Sequence, residues 1–167
     1  FVSANPTGPL HIGHTRWAAL GDAIGRVLKA AGATVTTEYY INDAGSQMDT
    51  FANSVLARMR GKDVPEGGYP GQYIADIARE LLSRHPEWND AKDEDIFEQV
   101  KDEAYKAQLK DISDTLESFG VHFDTWFSER TLHDSGAITE AVERLREQGH
   151  VFENEGAIWL LSLIHIS

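Results

Sequence analysis

The first forty residues limit the fold most. Phe1-Val2-Ser3-Ala4 reads as the end of a strand, and Asn5-Pro6-Thr7-Gly8-Pro9 imposes a turn. Apolar residues then recur at Ile12, Trp17, Leu20, Ile24, Val27 and Leu28, which is helical spacing, and Gly32 supplies a stop. Thr34 to Ile41 is β-branched and aromatic, as a strand is. Strand, glycine-bearing turn, helix and strand make a βαβ unit, the building block of a doubly wound parallel sheet. The expectation is an α/β chain with Phe1–Ala4 and Thr34–Ile41 parallel and adjacent, joined right-handedly by the helix.

The remainder reads as mainly helical. Gly45 to Arg60 carries Met48, Phe51, Val55, Leu56 and Met59 on one face, and a Pro/Gly break follows from Gly61 to Pro70. Gln72 to Arg84 is a shorter helix, Pro86 to Asp90 a loop, and Asp93 to Phe119 a long charged helix stopped by Gly120. Val121 to Phe127 alternates like a strand and Ser135 to Gln148 is helical. Val151-Phe152 and Ala157 to Leu160 suit a hairpin. Trp88, Trp126 and Trp159 suit core or hairpin anchors, and His122, His133 and His150 suit surface or capping positions. The run Lys92 to Glu103 suits a solvated helix face.

Composition enters as a filter on function. The 167 residues carry 27 acidic against 15 basic side chains, a formal charge of −12. A free-standing nucleic-acid binder relies on a basic face, so any RNA partner must be gripped mostly by other parts. Cysteine is absent, which removes disulfides and thiolate metal sites. No apolar run approaches the roughly 20 residues of a membrane helix, so no membrane partner is expected and a cytoplasmic location is. The chain opens on Phe1 inside a strand-like run, as a fragment of a longer chain would.

The chemistry concentrates in Ala4-Asn5-Pro6-Thr7-Gly8-Pro9-Leu10-His11-Ile12-Gly13-His14. Two histidines three apart share a face at the mouth of a helix that follows a strand. That helix end offers unpaired N–H groups and a partial positive charge, which suits a phosphate. Two imidazoles beside it can donate to oxygens that gain charge as a phosphoryl group is attacked. Gly13, without a side chain, lets a flat base approach the backbone. The bland alternative is a pair of surface histidines on an ordinary helix. A metal reading is weaker still, because the pattern is not His-Glu-x-x-His and no third ligand is evident.

His11-Ile12-Gly13-His14 matches the signature tetrapeptide of class I aminoacyl-tRNA synthetases. The longer run Ser3 to Arg16 resembles arginyl-tRNA synthetases in particular, as does Tyr39-Tyr40-Ile41-Asn42-Asp43-Ala44-Gly45-Ser46-Gln47-Met48. The resemblance covers roughly residues 1 to 160, leaving 161–167 as a tail of doubtful origin. It implies the first half of a Rossmann-like (HUP-type) catalytic domain with a mainly helical insertion. It also implies ATP-dependent activation of L-arginine and transfer to tRNA(Arg), with the main tRNA contacts outside this segment. ATP would be a substrate bringing its own Mg2+, with no protein-bound metal. His11 and His14 would stabilise the ATP phosphates and Gly13 would underlie the adenine. Ser3 and Asn5 would line the amino-acid pocket, and Asn42, Asp43 and Gln47 its floor. Helix capping is the competing role for Asn42 and Asp43.

Three features of the family have no counterpart here: an acidic residue ahead of the opening strand, the lysine-rich loop of the second half-domain, and the anticodon-binding domain. The variant with a lysine just before the first histidine is absent too, since Thr7-Gly8-Pro9-Leu10 stands there. The segment alone is therefore expected to be inactive. Two other readings share parts of the pattern: a carboxylate-activating nucleotidyltransferase that uses no tRNA, and a silent synthetase-like binding module. The Asn42–Gln47 block weighs against the first, and intact His11, Gly13 and His14 against the second.

Overall fold

Residues 1–161 are described by the computed structural model; residues 162–167, most of the doubtful tail, lie outside the described residues. The chain divides into two compact units, Phe1–Ser128 and a second beginning at Glu129.

The first unit runs α1 (Ile12–Ala30), β1 (Glu38–Ile41), α2 (Ser46–Met59), α3 (Gln72–Arg84), a 3-10 turn (Pro86–Asn89), α4 (Asp93–Ser118) and β2 (Thr125–Ser128). β1 and β2 pair in parallel, with Glu38 opposite Thr125 and Ile41 opposite Ser128. This is an α/β arrangement with a parallel strand pair and mostly helical content, as the sequence suggests.

The strand expected at Phe1–Ala4 does not form. Val2 and Ser3 have φ of 63° and 44°, which takes the backbone out of the extended region. No ladder can run through such residues. The segment instead reaches β1 through side chains: the Tyr40 N–H donates to Ser3 Oγ at 3.1 Å, and the Tyr39 hydroxyl donates to the Ala4 carbonyl at 2.9 Å. The parallel partner of β1 is β2, far later in the chain. β1 is also shorter than Thr34–Ile41, because the Thr37 N–H and hydroxyl are both spent on the Asp124 carboxylate, at 2.7 and 2.8 Å.

The core lies between β1 and the bundle of α2, α3 and α4. β1 alternates, with Tyr39 and Ile41 buried. They belong to one core with Met48, Phe51, Val55 and Leu56 of α2, Ile74 and Leu81 of α3, and Val100 and Ile112 of α4. The Tyr39 ring stacks on Trp126 of β2 at 4.4 Å. Burial pushes the Tyr39 hydroxyl up to about 12, its bond to Ala4 opposing the rise. The expected loop at Pro86–Asp90 is instead a 3-10 turn that buries Trp88. Arg60 ties it down by donating to the carbonyls of Trp88, Asn89 and Ala91 and pairing with Asp93 at 2.8 Å.

α1 behaves differently. Its buried residues are small, Ala18 and Gly25, whereas Trp17, Leu20, Ile24, Val27 and Leu28 are all exposed. The apolar stripe that marks this helix in the sequence therefore lies bare among the described residues.

The second unit holds α5 (Arg130–Asp134), which sequence spacing does not reveal, α6 (Ala137–Glu147), and the hairpin β3 (Val151–Asn154) with β4 (Ala157–Leu160). The hairpin pairs antiparallel, and Phe152 stacks on Trp159 across it. Trp159 is thus a hairpin anchor and Trp88 a core residue. His122, His133 and His150 are exposed, with His122 beside Glu117 at 2.7 Å.

Candidate active site

The mouth of α1 is built by its own histidines. His11 is the N-cap, with extended backbone, and its Nδ1 accepts the Gly13 N–H at 3.1 Å. The His14 Nδ1 reaches back to accept the His11 N–H at 3.2 Å. This is the reciprocal logic of a capping box, with two imidazoles in place of the usual hydroxyl and carboxylate. It satisfies two of the donors that a helix start leaves unpaired. The rings stack at 3.8 Å, and Trp17 meets His14 edge-on at 5.5 Å.

The cap decides the tautomer. A nitrogen that accepts an N–H carries no proton, so each neutral ring holds its proton on Nε2. Both histidines then offer an Nε2–H donor. Partial burial, with the neighbouring His11 adding to it, holds the His14 imidazole below the usual histidine range. It stays neutral where a free histidine would begin to charge.

Gly13 is part of this arrangement. A Cβ on it would stand 2.9 Å from His11 Cε1 and 3.1 Å from His11 Nδ1, so a side chain there would push the His11 ring off the cap. The bare backbone at Gly13 is the clearance that His11 needs.

The second cluster lies at the carboxyl end of β1. Asn5 donates through Nδ2 to Gln47 Oε1 at 2.8 Å and accepts at Oδ1 from Asn42 Nδ2 at 3.3 Å. Residues 42 apart in the chain thus meet, because the turn after Ala4 and the first turn of α2 converge on the end of β1. Gly45, with φ of 86°, makes the sharp entry into α2 that a side chain would resist. Ser3 sits beside this cluster with its Oγ on the Tyr40 N–H.

Asp43 takes another place. Its carboxylate is buried and accepts from the hydroxyls of Tyr105 on α4, at 3.0 Å, and Ser128 on β2, at 2.5 Å. Neither hydroxyl is legible as a partner in the sequence, since they stand 62 and 85 residues away. The N-cap of α2 is Gly45, and the Asn42 amide donates to Asn5. The 5–9 turn is braced by the Tyr73 hydroxyl, which donates to the Thr7 carbonyl at 2.7 Å. A cavity of about 580 Å³ lies elsewhere, between α2 and the start of α4, and is lined by none of the candidate site residues.

Residues 1–163 match the family model of the class I tRNA synthetases (R), catalytic domain. The chain belongs to the arginyl-tRNA synthetase family. It is 66% identical over 160 residues to an arginine–tRNA ligase of Pseudarthrobacter chlorophenolicus and 62% identical to one of Micrococcus luteus. In each case 96% of this chain aligns with 29% of the relative. The chain thus spans less than a third of the length of these curated relatives. A crystal structure described as an arginyl-tRNA synthetase of Campylobacter jejuni superposes with a TM-score of 0.83 at 36% identity, over 96% of this chain and 36% of that one. The class I catalytic-domain fold and the family expected from the two sequence blocks are both shown. No described helix is long and apolar enough to cross a membrane.

Proposed function

We propose that this chain supplies the front part of an arginine-activating site, in which ATP and L-arginine form arginyl-adenylate before transfer to tRNA(Arg) in the cytoplasm. The observation that carries the reading is the reciprocal histidine cap, which ties up both Nδ1 atoms and leaves the two Nε2–H groups at the start of α1 as the donors. The arginine carboxylate attacks the α-phosphate in line, a P–O bond forms, and the bond to pyrophosphate breaks. Negative charge moves onto the leaving oxygens, and donors fixed before reaction stabilise it without reorganising. His11 and His14 fill that role as Nε2–H donors. Mg2+ arrives with ATP and neutralises phosphate charge as part of the substrate.

Gly13 gives the adenine a bare surface. Ser3 keeps its hydroxyl proton free, because its oxygen is the acceptor of Tyr40. Ser3 and Asn5 line the amino-acid pocket, Asn42 and Gln47 flank Asn5, and Asp43 lies beneath as its floor.

The test is a chimera. Residues 1–160 replace the matching segment of the Pseudarthrobacter chlorophenolicus protein, and ATP–pyrophosphate exchange is measured with tRNA(Arg) present. Exchange that requires arginine among the twenty amino acids supports the reading, and arginylated tRNA completes it. Exchange with another amino acid, or none at all, defeats it. The 167-residue chain alone is expected to show no exchange.

A further inference from the structure

The amide cluster has a direction. Asn42 donates to Asn5, and Asn5 donates to Gln47, so three side-chain amides run head to tail. Each amide has one acceptor oxygen and one NH2 group. Asn5 is thereby held at both ends: its Oδ1 faces Asn42 and its Nδ2 faces Gln47. An isolated asparagine at an exposed position can turn its amide over at little cost, because oxygen and nitrogen are nearly the same size. Asn5 in this relay cannot turn without both neighbours turning too.

The amino-acid end of a substrate makes that orientation matter. A zwitterion presents an ammonium, which only donates, next to a carboxylate, which only accepts. A side chain meeting both must hold its oxygen and its NH2 on the correct sides, and an inverted amide meets each charge with the wrong group. The unspent capacity of the relay is arranged to match. Asn42 keeps Oδ1 as an acceptor at one end, and Gln47 keeps its NH2 as a donor at the other.

We propose that Asn42 and Gln47 are positioning residues: their hydrogen bonds fix the Asn5 amide so that its oxygen side faces a substrate ammonium and its NH2 side the adjacent carboxylate. The inference rests on the reading of the site as an amino-acid pocket and assigns a direction to it.

Isosteric acids read the direction. Asn42→Asp and Gln47→Glu each add one negative charge and change almost no volume. Glutamate at 47 still accepts from Asn5. Aspartate at 42 cannot donate, so Asn5 must turn its NH2 toward it and Gln47 must turn to donate to Asn5. The whole relay reverses with no bond lost. In the chimera, Asn42→Asp is expected to raise KM for arginine about tenfold beyond whatever Gln47→Glu does. Melting temperatures of the two variants should stay within about 2 °C of each other. Equal KM changes, the opposite order, or a KM change that tracks lost stability would overturn the proposal.

A second measurement does not depend on activity. In the 15N-labelled 167-residue chain, the NH2 groups of Asn5 and Asn42 should exchange with water more slowly than that of Gln47. In Asn42→Asp, protection should pass to Gln47. Protection of Gln47 in the unsubstituted chain, or three amides exchanging alike, refutes the direction. A chimera without arginine-dependent exchange that still shows the expected amide pattern counts against the arginine reading and leaves the relay intact.

Discussion

Two helical regions of this chain carry the same kind of pattern and meet different fates. α2, α3 and α4 each present an apolar face, and those faces close on one another and on β1, with Phe51, Val55, Ile74, Leu81 and Val100 fully out of solvent. α1 has an equally regular stripe, yet Leu20 is 57% exposed and Val27 68%. Periodicity states that a face needs cover; it does not state what covers it. The bundle finds its cover within the chain. α1 packs through Ala18 and Gly25 and leaves its large side chains open. Alignment of the chain to only 29% of its relatives' length is consistent with that difference.

The contrast is tested most strongly at Phe51. It has no exposed surface and meets Tyr69 edge-on at 5.9 Å. Phe51→Ala removes a fully packed ring and leaves a cavity, at a cost of about 3–5 kcal/mol. Urea denaturation of the chain is expected to show the bundle losing its cooperative transition or shifting it by that amount. A shift under about 1 kcal/mol would mean that the bundle is no tighter than α1.

Somewhat smaller is the effect at the mouth of α1, and there it falls on rate. If His14 acts as proposed, His14→Ala in the chimera removes one donor from the reacting phosphate and is expected to cost on the order of 100-fold in turnover, about 3 kcal/mol. Ground-state ATP affinity should change much less, because the bond strengthens only as charge develops. The same substitution removes the acceptor of the His11 N–H and with it half of the cap, worth about 1 kcal/mol of stability. His14→Asn should retain the cap through its side-chain oxygen and more activity than Ala through its NH2. Turnover that falls only in step with melting temperature would make His14 a structural residue.

The cap also predicts a pH response. The folded pKa of His14 lies below the ordinary 6.5, so between those two values the unfolded chain binds more protons than the folded one. Stability from this group is complete above pH 6.5 and declines as pH falls toward the folded pKa. Protonation would place a hydrogen on Nδ1 and break the bond from the His11 N–H. Melting curves from pH 7.5 to 5 should show this decline, reduced in His14→Asn. An identical slope in that variant would trace the response to other groups.

How much of this was legible in the sequence follows from the range of the interactions involved. α3 could be placed to the residue, and α2 and α4 nearly so, because a helix is specified by neighbours three and four apart. The histidine pair and the Asn42–Gln47 block stood out for the same reason, as short local motifs. The Phe1–Ala4 strand failed because strand formation depends on a partner and a backbone geometry that composition does not encode. The role of Asp43 was equally hidden. Its hydroxyl partners come from α4 and β2, and a single carboxylate carries no mark of what will meet it. Reciprocal capping by His11 and His14 was within reach, since three-residue spacing at a helix start is the capping-box spacing. Histidine is simply not the residue type that motif leads one to expect.

The smallest expected effect gives the sharpest version of the comparison. Leu20→Gln with Ile24→Gln changes two exposed side chains on α1. In the 167-residue chain the pair should alter stability by no more than about 0.5 kcal/mol, because little apolar surface leaves or enters water. It should lower self-association and the binding of an apolar dye, because the bare stripe is a contiguous sticky surface. In the chimera, where the rest of the relative's length is restored, the same pair should destabilise by about 1.5–3 kcal/mol for each side chain that has become covered. The bundle gives the opposite control: Phe51→Ala should cost the same in both settings, since its packing is complete within the chain. If the double glutamine variant is as harmless in the chimera as in the chain, the stripe has no partner in the longer protein, and α1 would be an exposed surface in its own right. If it unfolds the chain, the stripe is already part of the core.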